Sequence, residues 1–333
     1  MVIDYDYRFE IYPDEIQARL EAQQRFSRNL PERIGNMALE FVIETLKRWN
    51  SGQTLTIAFK GGTAALHKKI ADVATEWTNH ANLKFDFGFD STAGAFRAWS
   101  PADTSYAADV RISFDQPGYW SLVGTDSKDP SIVNPSQASM NFGGYAVALP
   151  NAWQGTVLHE FGHALGFQHE HQTPVGGCDL DFRWEDDPAY LPTVDGFGQF
   201  IPDGDGKRPG IYTVLGGPPN RWPQAKVDHN LRQLSNAHAF MVSAFDPQSI
   251  MKYYFGDWMF RTGTSSHCFS QRNDVLSDLD KAGAASAYPA AHDEMASSLE
   301  QKKTLLKTLI DDQKLQPQVR ESYELRLETL EES

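Results

Sequence analysis

The stretch HEFGHALGFQH, His159 to His169, constrains this chain more than any other part of it. Val157, Leu158, Phe161 and Leu165 recur at helical spacing through and around it, which predicts a helix. Residues four apart share a helix face, so His159 and His163 aim their imidazoles at one point. Gly166 can leave the helix in a left-handed conformation without steric cost. The chain then turns back, and His169 reaches the same point from outside the helix.

Three neutral imidazoles at one point make a transition-metal site, and zinc suits nitrogen ligands and tetrahedral geometry best. Three protein ligands leave one position for water, the mark of a catalytic site. Glu160 follows the first ligand and can lie beside that water as general base. Zinc lowers the pKa of water towards about 7. Glu160 would take the proton and later deliver it to a leaving amine, which is amide hydrolysis. Two incidental histidines on a helix compete poorly with this reading. The full HExxHxxGxxH pattern arises by chance in on the order of one chain in ten thousand or fewer.

A second stretch, DPQSIMKYYF (Asp246 to Phe255), offers Ser249, Met251 and Tyr253 at alternating positions. HExxHxxGxxH together with S-x-M-x-Y resembles the metzincin clan of zinc metalloproteases. Glu170 directly after the third histidine makes the pair of motifs most similar to the astacin family. The resemblance covers residues 54 to 289. It implies an α+β, zincin-like catalytic domain with a mixed twisted sheet and an active-site helix above a cleft. It also implies one catalytic Zn2+ and a polypeptide substrate.

Site roles follow from the same resemblance. Met251 would lie in a tight loop under the metal, where an unbranched thioether packs well. Tyr253, with Tyr254 as the alternative, would be an extra zinc ligand that swings aside to donate its hydroxyl to the oxyanion. An edge strand above the cleft would pair with substrate backbone, and Ser139, Met140, Asn141 and Phe142 are the candidates. Arg261 would line a pocket that favours acidic side chains. His171 would support the site from behind the ligands.

The chain also departs from the astacin pattern. The first fifty residues hold no F-x-G-D, and Asp4, Asp6 and Asp14 lack supporting context for blocking zinc. No cysteine precedes Cys178, which excludes a thiol latch in that segment. In astacins the glutamate matching Glu170 pairs with the mature N-terminus, so here it needs another partner. Lys252 stands where astacins commonly have histidine, and is read as solvent-facing.

Around this domain we expect helical extensions at 1–53 and 290–333. EIQARLEAQQRF and ALEFVIETLKRW are amphipathic, the second with Phe41, Val42, Leu46 and Trp49 on one face. Strands are expected at Thr54–Phe59, Lys84–Phe89 and Asp109–Phe114, with two short ones within Ala138–Leu149. Asn151 should cap the metal-site helix. Residues 176–223 read as a long surface excursion, with PDGDGK (Pro202–Lys207) a turn rather than a calcium loop. Near the C-terminus, two helices bend at Gln316–Gln318. Leu305, Leu306, Leu309 and Ile310 form a stripe that either covers the main domain or self-associates with another chain.

A net charge of -14 argues against nucleic-acid binding, which needs a positive surface. No run of about 18 apolar residues occurs, so no membrane span is expected. Cys178 and Cys268 either form one disulfide or stay free thiols. The start, MVIDYDYRFE, has no apolar signal-peptide core. That predicts a cytoplasmic chain, a non-classical export route, or a leader lying outside this sequence. Two rival functions remain beside endopeptidase. One is a zinc-bound interaction protein, which the intact Glu160 argues against. The other is a latent protease that needs a partner to release its N-terminal segment.

Overall fold

The computed structural model describes residues 9–29, 33–34, 37–38, 45–233, 244–311 and 317–331. They sort into two compact units. The larger contains the described residues of 11–168 and 274–331; the smaller contains 9–10, 169–233 and 244–273.

The larger unit is built on a five-stranded sheet. Its strands are β1 (Thr54–Phe59), β2 (Lys84–Asp86), β3 (Val110–Ser113), β4 (Tyr119–Ser121) and β5 (Met140–Phe142), in the order β2-β1-β3-β5-β4. Three pairings are parallel; β4 alone is antiparallel, to β5. The mixed sheet and α+β class match expectation. The β-branched and apolar content of TLTIAF explains why β1 lies second in the sheet, with Leu55, Ile57, Ala58 and Phe59 buried. Arg111 on β3 is fully buried, and its guanidinium donates to the carbonyls of Ala108, Ser127 and Gln137. Burial pushes its pKa down to about 10, still charged at neutral pH.

Helix α1 (Asp14–Asn29) follows Tyr12, and Tyr12 and Ile16 join Trp120, Leu122, Ile132 and Val133 in one cluster. Helix α2 (Ala64–Ala74) is capped by Thr63, whose hydroxyl accepts from the Leu66 N–H. Helix α3 (Trp153–Ala164) carries HExxH. Its capping position falls at Ala152, in left-handed backbone at φ 53°, one residue later than the expected Asn151. Only one strand forms within Ala138–Leu149. Gly143 and Gly144 start a run of turns in which Tyr145, Val147 and Ala148 bond back to Phe142 and Gly144.

Phe41 and Val42 lie outside the described residues; Leu46 and Trp49 are buried as expected. Gly124 allows a close approach nearby: at φ 53°, a Cβ would stand 2.0 Å from the Lys47 carbonyl oxygen. The final helices are α7 (Asp278–Ala287), α8 (His292–Ile310) and α9 (Pro317–Glu331), with α4 (Cys178–Asp181), α5 (Ile211–Gly216) and α6 (Gln224–Leu231) in the smaller unit. Of the expected bend, Gln316 lies outside the described residues and Pro317 opens α9. The stripe of α8 is used within the chain: Leu305, Leu306 and Leu309 pack with Leu46, and Ile310, Tyr323, Leu327 and Leu330 adjoin them. Lys302, buried beside this stripe, donates to the carbonyls of Arg48 and Trp49 and to the Asn50 side chain.

The smaller unit has little sheet. It holds α4 (Cys178–Asp181), a ladder between Thr193–Val194 and Phe200–Ile201, α5 (Ile211–Gly216) and α6 (Gln224–Leu231). PDGDGK is a turn, closed on Asp203, whose carboxylate accepts from the Leu191, Asp205 and Lys207 N–H groups. Cys178 and Cys268 form a disulfide. Phe182, Trp184, Phe255 and Phe260 make a buried aromatic core beside it. Among the described residues, no helix is long and apolar enough to cross a membrane.

Candidate metal centre

Helix α3 is buried almost all round. Val157, Leu158 and Phe161 face the core, as their spacing requires, and Glu160 and His163 are buried too. Carbonyls that the last helical turns leave without intrahelical partners need donors. Near the end of α3 these come from distant side chains: the Trp49 indole N–H reaches Ala164 O at 2.7 Å, and the Tyr288 hydroxyl reaches Leu165 O. Mid-helix, the Trp77 indole donates to Leu158 O at 2.8 Å. The exit is closed by bonds from Gly166 N to His163 O and from Phe167 N to Gly162 O. Gly166 has φ 93°, the left-handed exit expected of it.

His163 and His169 are each oriented by their other nitrogen. His163 Nδ1 pairs with Phe167 O at 2.7 Å, and His169 Nδ1 with Gln172 Oε1 at 3.0 Å. A bond at Nδ1 fixes the tautomer and leaves the Nε2 lone pair for a metal. The Nε2 atoms of His159 and His163 are 3.1 Å apart. Two zinc–nitrogen bonds of about 2.0–2.1 Å at the tetrahedral angle would separate them by about 3.3 Å, so the pair fits. Glu10, His159, His163 and His169 each offer one ligand atom, and these atoms all lie within 4.8 Å of one another. The donor chemistry suits one zinc ion.

Glu10 was not among the sequence candidates. Its carboxylate Oε2 is 3.9 Å from His169 Nε2, and its backbone N–H donates to the Tyr253 hydroxyl at 3.1 Å. No local spacing announces it: the carboxylate is far from the histidines in sequence. The only signal was an acidic residue between two large apolar ones, Phe9 and Ile11.

The second motif folds tightly. Met251 is buried in a turn, where its N–H bonds to the Ser249 hydroxyl. Glu170 supplies the partner that its altered context demanded. Its carboxylate accepts from the Asp246 N–H at 2.9 Å, and its own N–H donates to Met251 O at 3.1 Å. The segment after the third histidine and the methionine turn are thereby held together. Tyr253 is buried, with its ring 4.2 Å from that of His169 and 4.9 Å from that of His171. His171 is anchored by Asn230 O at 3.0 Å.

Three expectations need correction. Lys252 is not solvent-facing but buried, its ammonium bonded to Tyr253 O and the Ser270 hydroxyl and lying over the Phe255 ring. Burial pushes its pKa down to about 7, against the opposing pull of Glu170. The run Ser139, Met140, Asn141 and Phe142 is not an exposed edge. Met140–Phe142 has strands on both sides, its residues are fully buried, and its backbone is already committed. The antiparallel edge of the sheet falls one strand out, at Tyr119–Ser121. The second expected strand after Gly144 is absent, as described above. Arg261 is exposed, with its N–H on Asp181 O.

A further group of Asp181, His267 and Cys268 also converges, but Cys268 is in the disulfide and is no thiolate donor.

No family model matches the chain, and no curated protein matches it. Among solved structures it is similar to myroilysin, at 29% identity over 74% of this chain and 97% of that one, with a TM-score of 0.51. A second myroilysin structure gives 29% identity over 73% and 86%, with a TM-score of 0.44. High choriolytic enzyme 1, a hatching enzyme zinc-protease from the medaka fish Oryzias latipes, gives 13% identity over 72% and 90%, with a TM-score of 0.39. The two motifs, the α+β frame shared with myroilysin and a donor set that fits one zinc ion together make this chain similar to the astacin-like zinc metalloproteases of the metzincin type.

Proposed function

We propose that the chain is a zinc endopeptidase that cuts peptide bonds within polypeptides. The observation that carries this is the set of three histidines, two of them with Nδ1 hydrogen-bonded so that Nε2 is left for the metal. Zinc supplies Lewis-acid polarisation of a carbonyl and lowers the pKa of water. Glu160, beside His159 on the same helix, takes a proton on its carboxylate and passes it to the leaving amine. Tyr253, once released from the Glu10 N–H, turns its hydroxyl to the developing oxyanion. The test is a peptide-library digest alongside elemental analysis of folded protein. Cleavage should track zinc content up to one ion per chain; cleavage independent of zinc would overturn the proposal.

Glu10 favours the latent form of this reading. A buried carboxylate among the potential ligands suits a resting chain whose fourth position is filled from within. Glu10→Ala should therefore raise the initial cleavage rate of the full-length chain at least tenfold, measured with a fluorogenic peptide. An unchanged rate would reject latency through Glu10. The disulfide supports an oxidising compartment, and hence export, over the cytoplasm.

A further inference from the structure

Phe9, immediately before Glu10, is 5% exposed and sits in a nest of aromatic rings. Its centroid is 5.3 Å from that of Tyr253 at an edge-on 62°, 5.6 Å from Trp222 and 6.3 Å from Phe255. These are the distances and tilts at which aromatic pairs attract. The walls are fixed independently of Phe9. Phe255 packs edge-on against Phe182 and His171. Trp222 is held by its N–H on Leu215 O and lies under the Lys226 ammonium. Tyr253 is shared with the metal centre through its contact with the His169 ring.

The segment is held in two ways. Its backbone is read by the hydrogen bond from the Glu10 N–H to the Tyr253 hydroxyl, which any peptide could supply. Its side chain is read by the aromatic nest, which is selective. We infer that the nest of Trp222, Tyr253 and Phe255 is a substrate subsite for an aromatic or large apolar side chain, one residue from the group held at the metal. Phe9 occupies it as an internal stand-in. This rests on the endopeptidase reading and adds to it a substrate class. A small side chain there would leave a void, and a charged one would lose its hydration.

The test uses the full-length Phe9→Ala/Glu10→Ala variant, loaded with zinc, so that its own segment does not fill the nest. Two peptides are titrated calorimetrically: acetyl-FEIY-amide, copying residues 9–12, and acetyl-AEIY-amide. The first should bind at least about tenfold tighter, the scale on which apolar pockets discriminate. Trp222→Ala in the same background should remove that difference. Equal binding of the two peptides overturns the inference, and because that comparison uses one protein it does not depend on Trp222→Ala folding. In the same Phe9→Ala/Glu10→Ala variant, sequencing of cleavage sites from a random peptide digest gives a second reading. Enrichment of Phe, Tyr, Trp or Leu at one position beside the cut is expected, and no enrichment overturns the subsite. Selective binding without any cleavage would leave the subsite standing and refute the endopeptidase. Cleavage without aromatic preference would do the reverse.

Discussion

Glu160→Gln is expected to keep zinc at one ion per chain and to slow peptide cleavage by about a thousandfold or more. Glutamine nearly matches glutamate in shape, and position 160 is only 2% exposed, so the packing of α3 should survive. What is lost is the ability to accept a proton. The loss should fall on kcat, with KM little changed, because the group acts in the transition state rather than in substrate binding. The decisive measurement is kcat for both proteins at matched zinc occupancy. Equal turnover would mean that another group moves the proton. Loss of zinc in step with loss of turnover would mean that Glu160 matters to the metal rather than to the chemistry.

Removing the disulfide by Cys178→Ser/Cys268→Ser should destabilise the smaller unit by roughly 4–5 kcal/mol, from the loop entropy of a 90-residue closure. That unit carries few strands, short helices and the third histidine, so it has little else to hold it in register. Hydrogen–deuterium exchange of peptides from 169–233 and 244–273 in rising guanidinium reads this unit by itself, which tryptophan fluorescence would not, because Trp49, Trp77, Trp99, Trp120 and Trp153 lie in the larger unit. A change below about 1 kcal/mol would show that the aromatic core around Phe182 and Phe255 suffices without the cross-link.

The convergence of His159 and His163 was legible in the sequence because everything that aims them is local: helical periodicity, a four-residue offset and a glycine exit. Glu170 was legible as a residue in need of a partner, but not its partner, since the Asp246 N–H comes from a distant turn. Four of the five strands of the sheet were found as strands, but Tyr119–Ser121 was missed, and Met140–Phe142 was therefore taken for an edge. Strand order is a property of the whole sheet, and β4 reaches its place beside β5 only through the turn after β3. Lys252 misled for a related reason. Lysine is ordinarily a surface residue, and only the fold brings Tyr253 O and the Ser270 hydroxyl to its ammonium. Glu10 and the Phe9 nest escaped because they are assembled from three separate stretches with no common period.

The indole of Trp49 on Ala164 O ties the scaffolding of the zinc helix to a stretch that precedes β1, and Lys302 in turn secures the carbonyls on either side of that tryptophan's peptide bond. Anyone trimming a gene to the motif-bearing stretch alone would therefore sever a tether that runs from the last long helices, through one tryptophan, to the end of the helix that carries His159 and His163.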